Sequence, residues 1–182
     1  IGVRINDRGR IEVNRNLQTN LPWIYAIGDV NDQPWDLAHA ASFQGITAVE
    51  HLAGRPALWS DEAMPNCIFT EPEVATVGMT AAEAEAQGWE TVTAKAAFLA
   101  NGKALAQGEA VGFIKVVAAK KSRRILGVQI IGPGAGDLIA EATLAVKHHL
   151  TVEQLAGTIH AHPTLAESLH EAVQGASLEA MD

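Results

Sequence analysis

His162 and Glu167 stand five residues apart in the run His160-Ala161-His162-Pro163-Thr164-Leu165-Ala166-Glu167, and their types and spacing can do acid-base chemistry. A histidine takes up and returns a proton near neutral pH. Pro163 fixes a loop, and Thr164 reads as the start of a helix, so Glu167 falls in a first turn from which its carboxylate can fold back onto the ring. A Glu to Nδ1 hydrogen bond would fix the tautomer, point Nε2 outward and stabilise the protonated ring, the arrangement needed to take a proton from a thiol. The plainer alternative is that Glu167 only complements the helix amino terminus.

Asp29 is a second candidate, since Ile24-Tyr25-Ala26-Ile27 reads as a strand ending at Gly28-Asp29. In open α/β sheets ligands bind at the carboxyl ends of strands, and an aspartate there accepts hydrogen bonds from ribose-like hydroxyls. A helix beginning near Leu37 offers first-turn amides to an electron-rich ligand atom. A plain turn aspartate is the default reading of the same residues.

Other runs carry less. Gly132-Pro133-Gly134-Ala135-Gly136-Asp137 follows a strand and opens a helix, but Asp137 occupies the third glycine position of a dinucleotide fingerprint and Pro133 removes an amide. It reads as a turn and cap. His148, His149, His160 and His162 lack a further ligand at zinc spacing, so no metal site is expected. Cys67 is the single cysteine, which excludes an internal redox pair or disulfide framework and suits a cytoplasmic setting.

The 182 residues are 48% hydrophobic, enough for one ordinary core and part of a second. A net charge of -8 argues against nucleic acid, and the one dense basic cluster, Lys120, Lys121, Arg123 and Arg124, reads as a solvated hairpin turn. No apolar run approaches the ~18 residues of a membrane span. The opening at Ile1 is expected to mark a piece of a longer chain.

The elements that must position these residues fall into two groups. Strands over Arg10 to Val13 and Trp23 to Ile27, then a helix from Leu37 to Leu52, make the terminal strand-loop-helix piece of an α/β domain over residues 1–60. Loop-like composition from Arg55 to Pro65 precedes a second domain over 64–182. Its expected strands are Cys67 to Phe69, Val74 to Val77, Glu90 to Phe98, Gly112 to Ala118 and Ile125 to Ile131. Its expected helices are Ala81 to Gln87 behind a Thr80/Glu83 capping box, Ala135 to His148, a short helix capped by Thr151 and Gln154, and Thr164 to about Val173. The fold class is α+β, mostly antiparallel sheet with packed helices.

Thr19-x-x-Pro22-x-Ile24-Tyr25-Ala26-Ile27-Gly28-Asp29, the run PNCIFTEPEVATVGMT from Pro65, ILGVQIIGPGAGDLIAEA from Ile125 and TIHAHPTLAESLHEA from Thr158 together resemble the dihydrolipoamide dehydrogenase branch of the pyridine nucleotide-disulfide oxidoreductases. The resemblance covers nearly the whole chain, with the four motifs in the family's order. It implies a homodimeric flavoenzyme using FAD and NAD, of which this chain holds the end of the FAD-binding portion and the dimerisation domain. By the motif match Gly28 and Asp29 would meet the ribityl chain of FAD, and Leu37, Ala38 and His39 would present backbone amides to the flavin. The loop between Asp29 and Leu37 is about one residue longer than the family's usual spacing. His162 would be the catalytic base and Glu167 its orienting carboxylate, reaching across the dimer to the partner's redox disulfide. Lipoyl domains of a multienzyme complex are the implied partners.

A stand-alone dimerisation module without catalysis is the reading from a different class. The ending resembles the lipoamide branch more than glutathione or mercuric reductases, but Ala166 and Ser168 depart from its commonest sequence, which leaves a paralogue with another disulfide or metal substrate open.

Overall fold

The computed structural model describes residues 1–179, and the chain divides into two compact units, Ile1–Asp61 and the unit from Glu62 onward.

In the first unit the one long element is α1, Ala38–Leu52. The strands expected over Arg10 to Val13 and Trp23 to Ile27 are isolated bridges, Ile5 with Ile11, Ile11 with Asn31 and Gln18 with Tyr25. Asparagine side chains take the amides that a ladder would use. The Asn6 Oδ1 accepts from the amides of Arg8 and Arg10, and the Asn14 Oδ1 from those of Asn16 and Gln18. The segment is therefore a series of side-chain-closed turns, not a sheet.

The second unit is built on a five-stranded sheet whose neighbours are all antiparallel. Its strands are β1 (Asn66–Ile68), β2 (Glu73–Gly78), β3 (Thr91–Ala97), β4 (Phe113–Ala119) and β5 (Ile125–Gly132), in the order β1-β2-β5-β4-β3. Between them lie α2 (Ala81–Ala86), closed by the expected Thr80/Glu83 capping box, and α3 (Gly102–Gln107). After the sheet come α4 (Ala135–Lys147), α5 (Val152–Ala156) with its Thr151/Gln154 capping box, and α6 (Glu167–Glu179). The α+β class with a mostly antiparallel sheet is therefore the observed architecture. The basic cluster sits at the turn between β4 and β5, where Arg123 pairs with Glu153 and Arg124 with Glu62.

Alternate residues of the central strands feed the two faces. Ile114, Val116 and Ile130 join Phe98, Ile139, Leu169 and Val173 in the main core, while Val117, Ala119 and Leu126 pack with Ala84 of α2 in a smaller one. Helix α4 lies on β2 and β5, and α6 on β3 and β4. Small residues set the close approach of α6. Gly175 leaves room where a Cβ would stand 3.0 Å from that of Ala94, and Ala172 and Ala176 are fully buried.

Most boundaries shift by a residue, and those around α3 and α6 have a structural cause. The strand expected to Phe98 ends at Ala97, and Phe98–Ala100 is a 3₁₀ turn that leads into α3, which Asn101 caps by accepting from the amide of Ala104. A glycine at its first position hid this helix in the sequence. The last helix begins at Glu167 instead of Thr164, after a tighter turn in which the amides of Ser168 and Leu169 bond the carbonyls of Leu165 and Ala166 three residues back. It also continues past Val173 through Gly175, since Leu169, Ala172, Val173 and Ala176 form one buried stripe whose packing outweighs a weak helix former.

Phe98 is completely buried, and a side chain at Gly132, the last residue of β5, would collide with its ring. Phe98→Ala is expected to cost about 3–5 kcal/mol of unfolding free energy, read from the urea midpoint. A cost below about 1 kcal/mol would show that the ring does not fill this core.

Candidate functional site

Two places gather the candidate residues, one in each unit. In the first, Gly28–Val30 form a single 3₁₀ turn whose Gly28 has φ +70°. A Cβ on Gly28 would press at 3.2 Å against that of Ala41 in α1. The fully buried Gln44 fixes this turn, its Oε1 accepting from the amide of Gly28 at 2.7 Å and from Nδ2 of Asn31 at 2.7 Å. Asn31 in turn donates to the carbonyl of Ala26. Asp29 is left exposed at the surface of the turn. Leu37 is the N-cap of α1 and supplies no side-chain acceptor to the first helical amides, while Ala38 and His39 open the helix as exposed residues. The Gln44–Asn31 clamp went unread in the sequence, where a glutamine within a helical run carries no distinguishing signal.

In the second unit, α5 and α6 pack together and the loop joining them carries His162. Its ring Nδ1 lies 2.8 Å from Oε1 of Glu167, and Oε2 of the same carboxylate accepts from the amide of Thr164 at 2.8 Å. The Thr164 hydroxyl donates to the carbonyl of Ala161 and closes the turn between them. The His162 side chain is 79% exposed.

The electrostatics follow from those bonds. The Thr164 amide, and then the His162 ring, hold the Glu167 carboxyl below the usual carboxylate range, with His160 adding a smaller push in the same direction. An ionised carboxylate only accepts, so Nδ1 of His162 carries the hydrogen and donates. In the neutral ring the lone pair is then on Nε2, on an exposed imidazole. The arrangement can take a proton from an incoming acid such as a thiol and give it back.

His160, which the sequence offered only as a rejected metal ligand, is placed differently. Its Nε2 lies 2.9 Å from Oε1 of Glu141 on α4, and its Nδ1 lies 2.9 Å from the carbonyl of Thr158. No group of three or more His, Cys, Asp or Glu residues is placed to hold a metal ion among the described residues. The run Gly132 to Asp137 joins an antiparallel strand to α4, with Gly134 as N-cap at φ +63° and the Gly136 amide bonded to Glu73 at 2.9 Å.

Cys67 is the free thiol of the chain, and partial burial, with Glu73 nearby, pushes its pKa up. It is poorly suited to act as a nucleophile. No helix is long and apolar enough to cross a membrane among the described residues.

A family model described as pyridine nucleotide-disulphide oxidoreductase, dimerisation domain, matches residues 64–173, and one described as pyridine nucleotide-disulphide oxidoreductase matches residues 1–45. The dihydrolipoyl dehydrogenase of Haloferax volcanii is 46% identical over 175 residues, covering 96% of this chain and 37% of the relative. That of Bacillus subtilis is 44% identical over 174 residues, again 96% of this chain and 37% of the relative. The chain thus spans less than two-fifths of the length of these relatives. Among solved structures, LpdA from Mycobacterium tuberculosis superposes with a TM-score of 0.89 at 27% identity, covering 96% of this chain and 38% of its own. The HOCl-induced flavoprotein disulfide reductase RclA from Escherichia coli shares the fold, with a TM-score of 0.87 at 23% identity over 94% of this chain and 40% of its own. A dimerisation-domain match over more than half the residues, together with such identity along almost the whole length, places the chain in the pyridine nucleotide-disulphide oxidoreductase family.

Proposed function

We propose that this chain serves as the carboxyl-terminal part of a homodimeric dihydrolipoamide dehydrogenase, with His162 as the proton-transferring base and Glu167 as the carboxylate that orients it. The observation that carries the reading is the Glu167 bridge. One oxygen is fixed by the Thr164 amide and the other holds Nδ1 of an otherwise exposed histidine. Relatives at 46% and 44% identity bearing the name dihydrolipoyl dehydrogenase support the choice of substrate. The match to a dimerisation domain supports the homodimer.

In this reading His162 Nε2 takes the proton of a dihydrolipoamide thiol, and the resulting thiolate attacks a redox disulfide of the partner subunit, since the thiolate is the nucleophile. Glu167 stabilises the imidazolium so formed and keeps the ring from turning. The thiolate's attack breaks the disulfide, forming a mixed disulfide and displacing its other sulfur as a thiolate. The second substrate thiol then attacks the first substrate sulfur and releases the protein sulfur, leaving the protein pair reduced and lipoamide as the disulfide, and Nε2 passes its proton to a displaced thiolate. Lipoyl domains of a multienzyme complex would deliver the substrate, and a lone cysteine suits a cytoplasmic setting.

FAD fits the residues of the first unit. The exposed Asp29 carboxylate, on a turn that Gln44 holds rigid, suits a hydroxyl-bearing ribityl chain, and the first turn of α1 from Leu37 through His39 lacks a side-chain cap. FAD would supply the two-electron relay between the disulfide and NAD, while the protein contributes positioning and proton handling. No residue of this chain is assigned to NAD.

Three outcomes are expected. In the full-length flavoenzyme, His162→Gln should lower dihydrolipoamide turnover by about 10²- to 10⁴-fold, the range for a positioned acid-base group, and a loss under about threefold would end the assignment. The chain itself should form a dimer by light scattering at high concentration, and a monomer throughout would contradict the interface role. Because the Glu167 pKa is lowered on folding, its contribution to stability is complete above the ordinary carboxylate value of about 4.3 and is lost as pH falls through the lowered folded value. Glu167→Gln should therefore flatten that part of the acid-unfolding profile, and a profile unchanged from wild type would show that the carboxylate is not held.

A further inference from the structure

The loop that presents His162 has little to hold it. Of the side chains from 157 to 163, every one is exposed except that of His160. The His160 side chain is only 7% exposed. It is gripped from three directions. The carbonyl of Thr158 in the same loop faces Nδ1 at 2.9 Å, Glu141 of α4 faces Nε2 at 2.9 Å, and the ring of His170 on α6 lies 4.8 Å away at 52°.

A carbonyl oxygen only accepts, so Nδ1 of His160 carries a hydrogen and donates it to Thr158. The Glu141 carboxylate likewise only accepts, so Nε2 donates to it, and Glu141 is the one grip that ties the ring by hydrogen bond to another element. The far end of that tether is itself fixed, because the Gly136 amide in the first turn of α4 is bonded to Glu73 of β2. A chain of contacts thus runs from the sheet through α4 and Glu141 to His160, two residues before His162.

From this geometry we propose that Glu141, acting through His160, is a positioning residue for His162. The proposal rests on the reading of His162 as the proton-transferring base. The loop then carries two histidine-carboxylate pairs with separate tasks. The inner pair, His160 with Glu141, anchors the backbone, and the outer pair, His162 with Glu167, handles the proton. Glu167 fixes the rotation of the His162 ring but sits at the start of α6, after the loop. On the α5 side of His162, Thr158 bonds back to α5 and Ala161 bonds forward to Thr164, and His160 is the side chain that ties this stretch to α4. Misplacement of a reacting group by about 1 Å can cost on the order of 10²-fold in rate, so loss of this anchor is felt in turnover.

The test uses the full-length flavoenzyme with dihydrolipoamide and compares two changes at Glu141. Glu141→Ala removes the tether and should lower kcat by about tenfold while KM stays within about twofold, since binding surface is untouched and only the base is loosened. Glu141→Gln should restore most of the loss, because its side-chain oxygen can still accept from Nε2–H, and its N–H can donate where Nε2 is bare, so the tether is kept without the charge. Unchanged kcat in Glu141→Ala overturns the proposal, and so does an equal loss in Glu141→Gln, which would mean that charge and not the tether matters. If Glu141→Ala does not fold, Glu141→Met, of similar length without a hydrogen-bonding group, takes its place under the same criteria. Failure of both to fold overturns the proposal by assigning the pair to the core. His162→Gln is measured alongside. If it retains turnover, the base assignment falls. If it loses turnover while Glu141→Ala does not, only the positioning role falls.

Discussion

The Glu167 carboxylate is the point on which the site depends. Both of its oxygens are committed, one to the Thr164 amide and one to the His162 ring, and each bond constrains something different. The amide bond ties the carboxylate to the turn that precedes α6, so it cannot swing into solvent. The ring bond then has a fixed origin and determines which nitrogen of His162 bears the hydrogen. Remove the first bond and the second loses its direction. The depressed pKa of Glu167 is the electrostatic expression of the same arrangement, since an acid held by a donor on each side is stabilised as its anion.

The rest of the second unit serves to keep α4, α5 and α6 in register around that carboxylate. The antiparallel sheet gives α4 and α6 a common floor, and alanine and glycine at Ala94, Ala172, Gly175 and Ala176 let α6 settle close upon it. Close packing of small residues leaves few alternative positions for the helix axis. Glu167 is its first residue, so the position of that axis is inherited by the site.

The sequence made legible whatever depends on local pattern. Capping boxes at Thr80/Glu83 and Thr151/Gln154, the two strands that become β4 and β5 and the five-residue spacing of His162 and Glu167 all appear in the structure as their residue types dictate. What failed to show was decided by tertiary partners. The asparagine turns around the first expected strand act through side-chain geometry invisible to periodicity, and α3 is read only once Asn101 is seen as its cap. The extension of α6 through Gly175 needs the sheet beneath it. Gln44 and Glu141 were overlooked for the same reason, because each meets its partner 13 or more residues away in the chain.

The two histidines of the loop show how burial assigns roles to identical side chains. His162, 79% exposed, has its Nδ1 held by Glu167 and its Nε2 open to solvent, as the proposed base requires. His160, 7% exposed, has both nitrogens engaged and the tilted ring of His170 beside it, so it is held on three sides. A ring fit for catalysis must be able to change its protonation without moving its surroundings, and one fit for anchoring must resist that change. The alternation His-Ala-His places one of each on a single loop. Their partners separate them: Glu141 on α4 draws the first ring inward, while Glu167 at the start of α6 holds the second where solvent reaches it.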